Sequence, residues 1–213
     1  MQVLADMFGF SPSTIIARLV ILLVGIPIHE WAHAWSAHKL GDNTASLRGR
    51  LTLNPMAHLD PFGSLLLLFS GFGWGRPVPV NPYRMRVHPR VGMALSAAAG
   101  PFSNFVIAML FAIPIRMGWV AWDSAIGDFL FVAITINLGL MLFNLIPLYP
   151  LDGEKVLVGL LPPRWGDNLL RLRSFGMLIL AGLMFVLPRL GLDLIRMMIV
   201  PAYGLLLRLL LFF

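Results

Sequence analysis

The sequence predicts an all-α polytopic membrane protein with about five to six transmembrane helices and a re-entrant or β-hairpin element after the first helix. Three observations support this fold class. Of the 213 residues, 58% are hydrophobic and only 12% are charged, and the mean hydropathy is +0.83. Apolar runs of about 20 residues, the length that a helix needs to cross the hydrocarbon core, recur along the chain. Most basic residues lie in the connections between these runs, as orientation in a bilayer requires.

The first apolar segment covers about residues 13–40. Its start, Ser11-Pro12-Ser13, is typical of a helix N-terminus, because serine caps unpaired N–H groups and proline fits the first turn. Arg18 lies near enough to this end to extend its guanidinium to the membrane surface. Residues 1–13 lack the basic region of a signal peptide, so we expect no cleavable leader.

The stretch 41–90 is too interrupted to cross a membrane as one helix. Residues 65–69 are strongly apolar, but glycines and prolines break the pattern on both sides. Non-helical backbone at membrane depth is tolerated only against protein or a wet cavity. We therefore expect a re-entrant or interfacial element beside the functional site, followed by extended chain at 76–82.

Four further apolar segments follow, at about 91–115, 128–147, 169–187 and 192–212. The first of these contains the small-residue stretch 94–100, which allows another helix to approach closely. Arg171 and Arg173 occupy the start of the 169–187 segment, and Pro201 interrupts the last one. The number of helices after the third segment therefore stays open between two and three.

The strongest chemical signal is His29-Glu30-Trp31-Ala32-His33, at the end of the first apolar segment. Two histidines four apart on a helix share a face, with Cβ atoms about 5–6 Å apart, so both can ligate one metal ion. Glu30 is placed to take a proton from water on that metal, as in the H-E-x-x-H arrangement of zinc metalloproteases. The alternative is a pair of histidines satisfied inside a helix bundle. Ionisable groups within an apolar segment are costly and usually functional, which favours the metal site.

The distribution of arginine and lysine predicts the orientation. Loops 41–90 and 150–173 are rich in basic residues, whereas 116–127 and 188–191 are poor in them, so the positive-inside rule places the first two loops in the cytoplasm. His29 then lies roughly 24 Å along its helix at 1.5 Å per residue, in the cytoplasmic third of a core of about 30 Å. We expect an integral protein of a prokaryotic plasma membrane with its site toward the cytoplasm.

The best candidate in the sequence for a third metal ligand is Asp152. Catalytic zinc sites usually have three protein ligands, and a chain without cysteine must supply nitrogen and oxygen. Asp152 follows the third apolar segment on the same side of the membrane as His29. Pro147 and Pro150 end that helix there, and Gly153 permits close backbone approach. The alternative is that Asp152 is only a turn residue.

Two separated motifs, His29–His33 and Asn144…Pro147…Leu151-Asp152-Gly153, together resemble the site-2 protease family of intramembrane zinc metalloproteases. Linking stretches resemble its compact prokaryotic members as well, at 41–45, 49–55, 58–63 and 100–104. The resemblance covers about residues 25–160. It implies a single membrane-embedded metalloprotease domain over 1–213, with a catalytic core at about 12–160 and additional C-terminal helices at about 168–213. We expect the compact type, without PDZ-like or nucleotide-binding CBS domains.

The same resemblance implies the roles of individual residues. His29, His33 and Asp152 would bind zinc (Zn²⁺), and Glu30 would be the general base. Asn144 would lie close to the metal, where its amide can hydrogen-bond a substrate carbonyl or the developing oxyanion.

The predicted function is hydrolysis of peptide bonds within or near transmembrane segments of membrane-protein substrates, as in regulated intramembrane proteolysis. Substrate would pair with the extended stretch at Val78 and Val80. Asn104 either contacts substrate or makes a packing hydrogen bond. The expected partners are transmembrane substrates and the lipid bilayer, not nucleic acid, and the sequence does not indicate an oligomeric state. The alternative function is a non-catalytic membrane metal-binding protein or a transporter. Glu30 favours a hydrolase, because neither alternative needs it.

Overall fold

A computed structural model describes residues 11–70 and 73–211 of the chain. Its α-helices, numbered in chain order, are α1 (Pro12–Val20), α2 (Ile26–Lys39), α3 (Thr44–Leu47), α4 (Pro55–His58), α5 (Pro61–Ser70), α6 (Pro89–Arg116), α7 (Ala125–Asn144), α8 (Asp152–Leu160), α9 (Pro163–Arg171), α10 (Arg173–Ala181) and α11 (Leu194–Leu211). π-Helical turns at Ile21–Gly25 and Gly182–Val186 extend α1 and α10. The prediction of no cleavable leader concerns residues 1–13, most of which lie outside the described residues. Phe212, the last residue of the predicted fifth segment, also lies outside them.

Five helical stretches of the described chain are long and apolar enough to cross a membrane. In chain order, spans 1 to 5 are Thr14–Lys39, Pro89–Arg116, Ala125–Asn144, Arg173–Leu190 and Leu194–Leu211. They coincide with the five apolar segments, and the predicted all-α polytopic membrane fold is confirmed. Span 1 joins α1 and α2 through the first π-helical turn, so the helix that contains both histidines is continuous.

The core of the protein lies between spans 1, 2 and 3. Between 39% and 56% of their most apolar windows is buried within the protein, against 11% for spans 4 and 5. Ile21 and Ile26 of span 1 pack against Val132 and Ile136 of span 3, and Leu67 of α5 completes this cluster. Spans 4 and 5 therefore lie at the margin of a three-helix core.

The start of span 1 forms as predicted, but Arg18 does not reach the membrane surface. Ser11 caps α1, because its Oγ accepts a hydrogen bond from the Thr14 N–H at 3.1 Å. Arg18 is fully buried within the protein, and its Nη1 donates to the Leu68 carbonyl at 2.8 Å. That carbonyl is one of the last four of α5, which have no partner inside their own helix. Arg18 thus anchors the end of α5 to span 1.

The element after span 1 is a short helix that turns back, not a β-hairpin. α5 has ten residues, about half the number needed to cross a bilayer. In the described residues the β pairing here is limited to one antiparallel bridge between Leu59 and Gly75. A Cβ on Gly63 would overlap the Trp74 carbonyl, so this glycine allows the returning chain to lie directly on α5.

The fifth apolar segment is less interrupted than its sequence indicates. α11 continues through Pro201 from Leu194 to Leu211. Proline within a membrane-spanning helix is tolerated, because neighbouring groups and small local adjustments satisfy the carbonyl that it leaves unpaired.

Candidate metal centre

Three predicted side chains meet at one point in the core. His29 and His33 lie one turn apart on α2, and Asp152 is the first residue of α8. The two Nε2 atoms are 3.0 Å apart. Oδ2 of Asp152 lies 3.3 Å from Nε2 of His29 and 3.0 Å from Nε2 of His33. All three residues are buried. Among the described residues, they are the group of histidine and acidic side chains whose ligand atoms can hold a metal ion.

Hydrogen bonds on the far side of each ring fix which nitrogen faces this point. For His29, the protonated nitrogen follows from the Ala133 backbone carbonyl, which can only accept a hydrogen bond. Asn137 Nδ2 donates to it at 2.9 Å, so Asn137 Oδ1 accepts from Asn104 Nδ2 at 3.0 Å. The Oδ1 of Asn104 therefore faces His29 Nδ1, at 2.6 Å, and Nδ1 must carry the proton. The Nε2 of His29 is left with its lone pair.

His33 is fixed in the same tautomer by a single hydrogen bond to a backbone carbonyl. Its Nδ1 lies 2.7 Å from the Ser96 carbonyl, which again can only accept, so Nδ1 is protonated. The Ser96 hydroxyl returns a hydrogen bond to the His33 carbonyl at 3.1 Å. Metal-bound histidines commonly donate their second ring nitrogen in this way, which fixes both tautomer and ring orientation.

The three convergent atoms fit a zinc ion. Two imidazole lone pairs and a carboxylate oxygen repel one another at 3.0–3.3 Å, unless a cation lies between them. Ligand atoms placed tetrahedrally at 2.0–2.1 Å from zinc would be about 3.3 Å apart. Three protein ligands, two through nitrogen and one through oxygen, are the number typical of catalytic zinc sites, in which water or substrate takes the fourth position.

Asp152 presents one carboxylate oxygen to the histidines and is held through the other by Lys155. Lys155 Nζ donates to Asp152 Oδ1 at 2.9 Å, so Oδ2 alone faces the histidines. Without a metal, burial acts to raise the pKa of Asp152, but a proton taken up by the imidazoles, which charges His33 and lets the two rings donate to the carboxylate, and the Lys155 ammonium hold that pKa well below its usual range. The side chain is therefore a carboxylate at neutral pH, which is the form that binds a metal. Metal binding would displace the proton taken up by the imidazoles.

Gly100 of span 2 forms the floor of the site. A Cβ at this position would overlap Nε2 of His33 and lie 2.7 Å from Nε2 of His29. Only glycine allows α6 to approach the two imidazoles this closely. The close approach predicted from the small residues at 94–100 is thus present where the histidines need it.

Glu30 lies beside the histidines, under the chain that returns from α5. Oε2 of Glu30 accepts a hydrogen bond from the Val78 backbone N–H at 3.0 Å. A Cβ on Gly75 would lie 3.4 Å from Glu30 Cγ. The side chain of Arg50 holds the same returning chain by donating to the Arg76 carbonyl. The stretch after α5 therefore crosses the Glu30 carboxylate, beside the site as predicted.

The remaining predicted residues occupy different positions. Asn104 is fully buried and hydrogen-bonded to His29, as the packing alternative expects, and its contact with substrate stays a prediction. The Val78 N–H is occupied by Glu30, and Val80 is half-buried on the same stretch. Asn144 ends α7 and donates to the Leu140 carbonyl of its own helix at 2.9 Å. Its proposed contact with the oxyanion stays a prediction.

Two residues of the site, Asn137 and Lys155, were not predicted from the sequence. Asn137 is a fully buried amide in the middle of apolar span 3. An amide at that depth needs a partner, and this was the available signal. Lys155 follows Asp152 by three residues, a spacing at which helical side chains meet.

The chain is similar to three bacterial proteins with informative names. It is 41% identical to "Putative zinc metalloprotease YwhC" of Bacillus subtilis over 191 residues, 86% of each chain. It is 30% identical to "Putative zinc metalloprotease Rip2" of Mycolicibacterium smegmatis over 173 residues, 76% of this chain and 64% of that protein. For Rip2 of Mycobacterium tuberculosis (strain H37Rv) the identity is 30% over 175 residues, 79% and 66% of the two chains. The chain thus spans just under two thirds of both Rip2 proteins. No family model matches, and no solved structure is significantly similar.

Gly100→Ala should prevent metal binding, because its methyl group would overlap the nitrogen of His33 that faces the site. We expect purified Gly100→Ala protein to hold far less than one zinc ion per chain by elemental analysis. Gly204→Ala in α11 is the matched control, since a Cβ there meets nothing within 4 Å. Wild-type zinc content in Gly100→Ala would show that α6 does not lie against the imidazoles.

Asn104→Leu should weaken zinc binding by about 10- to 100-fold, because it removes the acceptor that fixes His29 Nδ1–H. A competition titration with a chelating dye measures the affinity. Asn144→Leu is the comparison: its amide bonds its own helix, so zinc affinity should stay at the wild-type value. Equal affinities in both variants would contradict the role given to Asn104.

Proposed function

Because this chain belongs to the same family of zinc metalloproteases as YwhC and Rip2, we propose that it hydrolyses peptide bonds within or beside the membrane-spanning helices of other membrane proteins. The family recognised from the sequence is confirmed as one of zinc metalloproteases. Our proposal goes beyond family membership in one respect, namely that cleavage takes place within the bilayer, as in site-2 proteases. The observation that carries it is a complete His-His-Asp donor set, two of whose residues, His29 and His33, lie on an apolar helix that is long enough to cross a membrane.

His29, His33 and Asp152 would hold the metal, and Glu30 would handle the proton. Zinc in such a site supplies Lewis acidity, which would polarise a carbonyl and lower the pKa of bound water toward about 7. Glu30 presents Oε2 to the Val78 N–H, which fixes the orientation of the carboxylate. Its other oxygen remains for proton transfer. Glu30 takes the proton of the attacking water and returns it to the leaving amine, so one residue serves as base and then as acid.

We place this site near the cytoplasmic face of a prokaryotic plasma membrane. The support is the excess of arginine and lysine in the loops that flank the site, which favours the cytoplasmic side. The loop after span 1 folds over Glu30 through Gly75 and Val78, and its backbone is polar. Irregular backbone at membrane depth requires protein or a wet cavity around it. This loop is therefore the proposed route of water to the site.

A transmembrane substrate must open locally before it can be cleaved. In an intact helix each carbonyl accepts a hydrogen bond from the N–H four residues later, so the scissile carbonyl is hidden. Opened chain can pair with the extended stretch that includes Val78 and Val80. Because the Val78 N–H is bonded to Glu30 in this structure, pairing there would require that contact to be exchanged. Asn144 is the proposed donor to the oxyanion.

Glu30→Gln should abolish peptide hydrolysis and leave zinc bound. The amide cannot accept the proton, and general acid–base catalysis contributes about 10²–10⁴-fold to rate. The assay is cleavage of single-span test proteins by detergent-purified enzyme, with zinc content determined on the same sample. Removal of zinc with a chelator should stop cleavage, and added zinc should restore it. Full activity of Glu30→Gln would contradict the assigned role, and zinc binding without any cleavage by the wild type would favour a non-catalytic metal protein.

Substrates whose spanning helix opens easily should be cleaved faster. Glycine costs about 1 kcal/mol relative to alanine in a helix interior, so a Gly pair near the scissile bond lowers the cost of opening. We expect several-fold faster cleavage of a Gly-Gly test span than of a matched Leu-Leu span. The same pair placed ten residues away is the control. Equal rates for all three spans would argue against local unwinding.

A further inference from the structure

The carboxylate of Glu154 is almost completely withdrawn from solvent, at 1% exposure, in the first turn of α8. It is bound by both sides of one guanidinium fork: Arg173 Nε lies 2.5 Å from Oε1 and Arg173 Nη2 lies 2.8 Å from Oε2. Such bidentate pairs fix direction as well as distance. A buried carboxylate without this partner would be strongly unfavourable.

Arg173 is the first residue of span 4, so this ion pair joins the margin of the protein to the turn that carries Asp152. The same guanidinium lies 5.7 Å from the ring centroid of Tyr149, in the loop before α8. A Cβ on Gly176, one turn further along span 4, would lie 2.7 Å from the Tyr149 carbonyl oxygen. Span 4 therefore contacts the chain on both sides of Asp152.

The opposite side of this turn is equally constrained. A Cβ on Gly153 would overlap the Leu145 carbonyl, so the start of α8 lies directly on the end of span 3. Lys155 holds one oxygen of Asp152. On the remaining side, Leu151 and Leu180 of span 4 belong to one buried apolar cluster with Ile146.

We propose that Arg173 and Glu154 are positioning residues for the metal ligand Asp152, and that span 4 thereby acts in zinc binding although it lies outside the three-helix core. The ligand distances of zinc sites are expected to lie within about 0.2 Å of their standard values, so the carboxylate must be held in a defined position. The histidines are fixed by spans 1 to 3, but the carboxylate is on a separate short helix. The Glu154–Arg173 ion pair fixes the position of this short helix relative to span 4. This inference rests on the proposed zinc site.

The test is zinc affinity of the full chain in detergent, measured by competition with a chelating dye, together with the visible spectrum of the cobalt-substituted protein. Arg173→Gln should bind zinc about 10- to 100-fold more weakly, with an altered cobalt spectrum. Arg171→Gln, an exposed arginine two residues earlier, is the matched control and should behave as wild type. Glu154→Gln should resemble Arg173→Gln, and the double variant should lose no more than the larger single loss, because the pair acts as a unit.

Arg173→Lys keeps the charge but not the fork, and it decides the question if Arg173→Gln does not fold. It should show an intermediate affinity. Wild-type affinity and spectrum in Arg173→Lys and in any folded Arg173→Gln, or an equal loss in Arg171→Gln, would overturn the proposal. A change in thermal stability alone, with the cobalt spectrum unchanged, would also overturn it. Absence of zinc binding by the wild type would instead overturn the proposed function.

Discussion

Three electron-rich atoms that converge within 3.3 Å of one another are the constraint on which the rest of this structure depends. Two imidazole nitrogens and a carboxylate oxygen in an apolar interior are unfavourable unless they share a cation. Each core helix contributes to holding them there. Span 1 carries the histidines, and span 2 supplies the Ser96 carbonyl, the Asn104 amide and the space at Gly100. Span 3 supplies Asn137 and leads into the loop that ends at Asp152.

The direction of the hydrogen bonds explains why buried amides occur where apolar residues would pack more cheaply. The Ala133 carbonyl can only accept a hydrogen bond, so it fixes the orientation of the Asn137 amide, which in turn fixes that of Asn104. The Asn104 oxygen then requires the proton of His29 to be on Nδ1. A leucine at position 104 or 137 would fill a similar space but would not determine which nitrogen of His29 is protonated. The polar groups of the core are therefore explained by the tautomers that they impose on the proposed ligands.

Much of the fold could be predicted from local patterns, but contacts between distant segments could not. Apolar length located the five spans, and the i, i+4 spacing brought His29 and His33 to one face. The pairing of Asp152 with them needed the family resemblance, because its sequence neighbours indicate only a turn. Arg18 was expected at the membrane surface, since its partner, the Leu68 carbonyl, is 50 residues away and has no signature. The role of Asn137 depends in the same way on the register between spans 2 and 3. Pro201 was misjudged because the cost of proline depends on what surrounds the helix.

The most direct test of the account is X-ray absorption at the zinc edge of the purified wild-type protein. We expect one zinc ion per chain with a shell of nitrogen and oxygen ligands at about 2.0–2.1 Å. Outer-shell scattering should correspond to two imidazoles, and to one in a variant that lacks His33. Two results would contradict the proposed metal centre. One is a protein that takes up no zinc, and the other is imidazole scattering that is absent or is unchanged when His33 is replaced.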